Sequence, residues 1–343
     1  MSVKTKRFFK RLIGYAGLFF FVLAAGMLYW QLRNYSLMDI LRSLWHIPFA
    51  NLVMASIACF VGYVALSLYD YLALEYVGRK VSWWKWMLAG MLGFAISNNA
   101  GSAAVSGGAI RYRLYTRWRV PGADIIKMIT FSGLTFFLGY AAVAVIGYFL
   151  VPHEILQDSV SIGITGLFIA CLSLILAYYA IAIVFCDKSI RIGEIKFHIP
   201  SIGTATVQTF LGIMDALCAG LVLYFCLIPY VPDLPFGMFM GLYVIAAVAG
   251  VFSQTPGGIG VFESIFLIAL PKIVPSGNVN EASVFGALLA YRIIYYVLPL
   301  IGVGGLFFIY ERWLRARMKR WLEEAKHKMP KLPIHHKNNN LDS

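Results

Sequence analysis

Charge is scarce in this chain: Asp, Glu, Lys and Arg make up 13% of its 343 residues, while 60% are hydrophobic. A water-soluble domain has no interior large enough to hide that much apolar surface, so the composition excludes one and predicts an all-α polytopic membrane protein. No histidine falls inside a predicted span, and no HExxH, GxSxG or P-loop motif occurs. Neither an enzyme active site nor a cofactor is therefore expected. Cys59, Cys171, Cys186, Cys218 and Cys226 include no CxxC pair and lie in or beside apolar runs, so they read as small core residues rather than disulfides or metal ligands. A net charge of +13 can mark nucleic-acid binding. Here most of the charge sits at the ends of apolar runs and in the C-terminal tail, where it sets topology and meets anionic lipid, so no nucleic acid is expected. No cleavable signal is expected either. Residues 12–30 follow a basic start and are too long for a signal h-region, which makes them a retained first span.

Six runs are long enough to cross a bilayer: residues 12–30, 48–74, 125–150, 163–185, 204–228 and 283–309. Two more are interrupted, residues 83–110 and 236–270. The first has about 28 residues, long for one span of roughly 20 and short for two. Lys80 precedes it, Lys85 lies at its very start, and Arg111, Arg113, Arg117 and Arg119 follow it, so both of its ends are expected on the cytoplasmic side. A segment that enters and leaves on one face is a re-entrant hairpin, and such broken backbone survives at membrane depth only where protein buries it or a cavity receives it. Sorting Lys and Arg by face puts both termini in the cytoplasm. Trp45, Trp83, Trp84, Trp86 and Trp313 fall at span ends as interface anchors.

The order then repeats. Residues 1–151 and 161–310 each read span, span, hairpin, span; the second half starts on the opposite side and is inverted, and residues 311–343 form a basic cytosolic tail. Within the tail, His335-His336 reads as an exposed pair rather than a metal site. Aligning the glycine pairs puts SGGAIRYR (Ser106–Arg113) over PGGIGVFE (Pro256–Glu263), so that Arg113 falls opposite Glu263. Inverted repeats with paired broken helices near the midplane are a signature of secondary transporters.

An ionisable residue inside the membrane is a functional hypothesis by default. Arg111, Arg113, Asp215, Glu263 and Arg292 qualify; Asp70 and Glu75 lie nearer a span end. At each hairpin tip a half-helix is expected to begin, near Ala109 and near Ile259. Its first amides lack partners, and glycine would let a phosphate approach them closely. Gly107, Gly108, Pro256, Gly257 and Gly258 would shape these tips, with Asn98, Asn99, Ser102, Ser106, Gln254 and Thr255 completing the hydrogen bonds. Two alternatives stand beside this: the charges pair with each other and fix helix packing, or the small residues only let helices approach closely.

NNAGSAAVSGGAIRYRLYTRWRVPG (from Asn98), AGVFSQTPGGIGVFESIF (from Ala249), ALLAYRIIYYVLPL (from Ala287) and YDYLAL (from Tyr69) resemble the transmembrane region of lysylphosphatidylglycerol synthase/flippase proteins. The resemblance implies a lipid-translocating domain in the bacterial inner membrane, with an anionic or aminoacylated phospholipid as partner. In two-part members a cytosolic aminoacyltransferase domain follows; none is expected here, so aminoacyl transfer is not implied. Two other readings remain: a non-catalytic membrane partner of a separately encoded lipid synthase, and an enzyme acting on a lipid phosphate.

Overall fold

Prolines and polar caps decide where the helices start. The computed structural model describes residues 37–100, 103–150, 161–186, 188–274 and 279–328. The expected span 12–30, the half boundary at 151–160, Ser102 and the tail beyond 328 lie outside them. A short helix α1 (Leu37–His46) leads into α2 (Phe49–Tyr76), which begins behind Pro48. Then come α3 (Trp83–Asn99), α4 (Ala103–Arg117) and α5 (Gly122–Phe149), the last starting behind Pro121. After α6 (Ser161–Val184), the strands β1 (Ser189–Ile192) and β2 (Ile195–His198) pair antiparallel. Ser201 caps α7 (Ile202–Leu227) by accepting the Thr204 amide at 3.3 Å. Pro235 precedes α8 (Phe236–Phe252), and after a 3-10 turn at Pro256–Gly258 comes α9 (Val261–Ile273). Asn280 caps α10 (Glu281–Arg292), a π-helical turn spans Ile293–Val297, and α11 runs over Leu298–Lys328. Pro disfavours helix at the residue before it and offers no N–H of its own, which suits a helix start.

By length and composition, six described helices can cross a membrane: Phe49–Tyr76, Gly122–Phe149, Thr165–Val184, Ile202–Leu227, Pro256–Ile273 and Glu281–Trp313. In hydrocarbon only a helix or a closed barrel satisfies its own backbone, which is why apolar composition and long helices coincide. Five of these helices match expected spans. The sixth, Pro256–Ile273, was expected as half of a hairpin, yet its 18 residues suffice to cross. The last span also continues: no break separates residue 310 from 311, and helix persists to Lys328. Helix α6 is apolar around its circumference and exposes Ile169, Leu174, Leu176, Ile181 and Ile183, as a lipid-facing helix must.

Both interrupted segments divide into two helices, the first between Asn99 and Ala103 and the second between Phe252 and Val261. α3 and α4 pack so closely that a Cβ at Gly107 would overlap Ser97 Oγ and stand 2.6 Å from the Gly93 carbonyl. α8 and α9 pack through aromatic rings, Phe239 on Phe266 at 6.1 Å and Tyr243 on Phe262 at 5.9 Å. The two breaks also meet, since a Cβ on Gly257 would lie 3.1 Å from the Asn98 carbonyl oxygen. One expectation fails here. The second half of the first segment begins at Ala103, not near Ala109, so Gly107 and Gly108 lie inside a helix whose amides are already bonded. Gly107 serves close packing, which is the second of the two alternatives.

α5 and α7 cross at backbone contact, because a Cβ on Gly139 would overlap the Gly212 backbone. This crossing sets Tyr140 beside Asp215. Cys59, Cys218 and Cys226 are buried as expected; Cys186 is exposed beyond the end of α6 and is no core residue.

Candidate functional site

The helices enclose a cavity of about 410 Å³ beside the meeting point of the two breaks. Its wall takes Phe94 and Asn98 from α3, Gly108 and Arg111 from α4, Ser132, Phe136 and Tyr140 from α5, and Asp215 from α7. Tyr243 comes from α8, Thr255, Gly257 and Gly258 from the second break, Phe262 from α9, and Tyr295 and Tyr296 from the π-helical turn. Arg111, Ser132 and Asp215 are each at least nine-tenths buried, and each keeps one polar atom without a hydrogen-bond partner in the protein: Nη2, Oγ and Oδ1 respectively. A buried polar atom left unbonded costs about 1–3 kcal/mol. Three of them around one chamber mark it as a place for a polar group.

Arg111 is held rigidly. Its Nε donates to Asp70 Oδ1 at 2.9 Å and Oδ2 at 3.2 Å, and the Tyr115 hydroxyl donates to Asp70 Oδ2 at 2.9 Å. Its guanidinium lies 4.2 Å from the centroid of Phe94 and fits there because Gly93 has no side chain. Asp70, ranked by sequence below the others for lying nearer a span end, is therefore the counter-ion at the site. An acid inside an apolar helix was the signal that could have found it.

Glu263 and Arg292 close the second break. Glu263 Oε2 accepts the Gly260 amide at 2.8 Å, and its Oε1 accepts Arg292 Nε at 2.7 Å. Arg292 also donates to the Gly257 carbonyl and lies over the rings of Tyr296 and Phe262. The positive end of α9 is thus already met by a carboxylate of its own first turn. The half-helix on this side starts at Val261, close to the expected Ile259, and the amides of Gly258, Ile259 and Gly260 already donate to Thr255, Pro256 and Glu263. Glu263, Arg292 and Pro256 do not line the cavity; they clamp a turn that does. Truncation to Glu263→Ala strands Arg292, half of a buried pair worth roughly 3–5 kcal/mol to break. The thermal midpoint in detergent should fall by at least about 5 °C, with little change for Arg113→Ala.

The remaining sequence candidates divide. Asn98, Gly108, Asp215, Gln254, Gly257 and Gly258 line the chamber. Asn99 does not: its Nδ2 donates to the Ala95 carbonyl at 2.7 Å and the Tyr296 carbonyl at 3.1 Å, tying α3 to the π-helical turn. Ser106 Oγ reaches the Ala100 carbonyl at 3.3 Å. Arg113, aligned against Glu263 by sequence, points elsewhere: with Arg117 it meets Glu311 of α11, at 3.0 and 3.1 Å. Ser132 and the aromatic wall were missed, since one serine or tyrosine in an apolar run gives no signal of its own.

Asp215 stands apart electrostatically. It is 1% exposed, its Oδ2 accepts the Tyr69 hydroxyl at 3.2 Å, and among the described residues it has no ion-pair partner. Arg111 is matched by Asp70 and Arg292 by Glu263. Among the described residues, Asp215 is thus the chamber's one acidic or basic side chain without a counter-charge. Among the same residues no three His, Cys, Asp or Glu side chains gather where a metal would fit.

A chamber of this kind inside apolar helices narrows the field, and the sequence profile of the lysylphosphatidylglycerol synthase TM region matches residues 16–302. The chain belongs to the lysylphosphatidylglycerol synthase TM-region family. Within the family it is 35% identical over 288 residues to the uncharacterized protein slr0712 of Synechocystis, covering 82% of this chain and 85% of that one. It is 29% identical over 245 residues to the inner membrane protein YbhN of Escherichia coli, covering 70% and 74%. A phosphatidylglycerol lysyltransferase of Staphylococcus xylosus matches at 24% over 318 residues; these cover 90% of this chain but 35% of that protein. The lysylphosphatidylglycerol synthase TM-region assignment makes this a membrane protein related to phospholipid-modifying proteins.

Proposed function

We propose that this protein is a lipid transporter which draws the headgroup of an anionic or aminoacylated phospholipid into the central chamber and passes it between leaflets. The observation that carries the reading is the trio of buried, unsatisfied polar atoms on Arg111, Ser132 and Asp215 around one cavity inside apolar helices. Arg111 Nη2 and Ser132 Oγ suit a phosphate oxygen, because both donate. Asp215 suits an ammonium, and the faces of Tyr140, Tyr243, Tyr295 and Phe262 would add cation–π attraction. The protein's own cations at the chamber are already matched while Asp215 is not, so an amine-bearing headgroup is the better fit of the two classes. Membership of a family that includes phosphatidylglycerol lysyltransferases agrees with a phospholipid as substrate.

The proposed mechanism keeps the two broken segments as re-entrant, oppositely oriented hairpins of an inverted repeat. Rocking of one half, 1–151, against the other, 161–310, would expose the chamber alternately to each leaflet. Both termini would lie in the cytoplasm of a bacterial inner-membrane protein. The proposal is transport without catalysis.

The test is movement of headgroup-labelled lipid across vesicles containing purified protein. Wild type should exceed empty vesicles at least tenfold with an amine-bearing lipid. Asp215→Asn, which keeps shape and removes charge, should lower that rate at least tenfold and slow a purely anionic lipid much less. Wild-type rates equal to those of empty vesicles, across amine-bearing and anionic lipids alike, would overturn the reading.

A further inference from the structure

The chamber does not close on all sides. Along α5 the residues Ile129, Gly133, Phe137 and Tyr140 share one helical face and all line the cavity. Tyr140 is buried, but Gly133 is exposed and Phe137 is 36% exposed. Across from them the end of α8 contributes Phe252, 68% exposed, and the break contributes exposed Gln254. Residues that line a cavity and also meet the outside form its mouth. Phe137 and Phe252 flank that mouth with ring centroids 6.1 Å apart, and at Gly133 an added Cβ would meet nothing within 4 Å.

The mouth's depth decides what passes through it. Gly133 and Phe137 sit at the middle of the 28-residue helix α5, so the opening faces sideways into hydrocarbon rather than up into water. A wholly polar solute cannot cross that rim without losing its hydration, and a wholly apolar one gains nothing from Arg111 and Asp215. Only an amphiphile satisfies both ends, with its head inside and its chain across the lip.

From this we infer that the gap between α5 and α8, framed by Gly133, Phe137 and Phe252, is an acyl-chain site through which a lipid stays threaded while its headgroup occupies the chamber. The inference rests on the lipid reading of that chamber and adds where the chain lies. Gly133 sets the clearance, and the two phenyl rings pack against the methylenes.

The experiment uses phosphatidylethanolamine carrying a diazirine midway along one acyl chain, in vesicles of phosphatidylethanolamine and phosphatidylglycerol. Photolabelling should concentrate on Gly133–Phe137 and on Val251–Gln254, at least fivefold above the lipid-facing side of α6. In Gly133→Trp, whose side chain enters open space, that labelling and lipid movement should both fall at least tenfold, while Gly133→Ala should behave as wild type. Labelling no higher than on α6, or wild-type labelling and movement in Gly133→Trp, would overturn the inference. Because the wild-type labelling pattern decides on its own, misfolding of the tryptophan variant leaves the test intact. Enriched labelling without lipid movement would keep the chain site and remove the transport reading; movement without enriched labelling would do the reverse.

Discussion

Arg111→Gln is expected to lose most of its folded protein in detergent, and adding Asp70→Asn to recover it. The pair is buried on both sides, so removing the guanidinium alone leaves the Asp70 carboxylate with only the Tyr115 hydroxyl. Breaking a buried pair from one side costs about 3–5 kcal/mol, because the survivor's charge stays uncompensated. The double variant removes both charges and keeps similar volume, which is often close to neutral. Monodisperse yield and thermal midpoint read the stability half of this prediction. Transport reads the other: the recovered double variant should remain inactive, since the Nη2 group facing the chamber is gone. A fully active double variant would show that Arg111 serves folding alone. Arg113→Gln should change little, because that side chain is more than half exposed and surface pairs contribute about 0–1 kcal/mol.

Gly139→Leu should abolish the fold more completely still. The added Cβ would overlap backbone of Gly212, and backbone cannot rotate away as a side-chain tip can. Ordinary overpacking costs about 1–3 kcal/mol, and prising α5 away from α7 also forfeits the dispersion attraction along both helices. Size-exclusion chromatography should show aggregate in place of a monodisperse peak. Gly304→Leu is the matched control, because nothing lies within 4 Å of its added Cβ. A well-behaved Gly139→Leu protein would mean that the helices can part at this crossing without penalty.

Much of the scaffold was legible because hydrocarbon imposes it. Runs such as 125–150 are long, apolar and bounded by Pro121 and charge, and they appear as helices within a few residues. Both breaks were legible from small and polar residues interrupting apolar segments. What sequence could not supply was partnership. Asp70 and Arg111 lie 41 residues apart, and Arg113 and Glu311 lie 198 apart. Only the packed helices decide that Arg113 goes to Glu311 while Glu263 goes to Arg292. The glycine doublets misled for a related reason. Gly257 and Gly258 adopt positive φ at a true break, but Gly107 and Gly108 are helical, and Gly107 serves close approach. Two glycines spell both uses the same way.

The wide π-helical turn at Ile293–Val297 carries a final consequence. Its carbonyls are claimed from outside, by Cys59 at Ile294, Tyr63 at Tyr295 and Asn99 at Tyr296. Deleting one residue there would close the turn to a regular α-helix, because a π-helical turn holds one residue more than an α-helical one. The downstream helix would keep its phase, but the bulged carbonyls would be drawn back into the helix and the three anchoring donors would lose their acceptors. The anchoring of the final helix thus rests on a local surplus in its winding, and a one-codon deletion in this stretch should be far more harmful than one near Lys328.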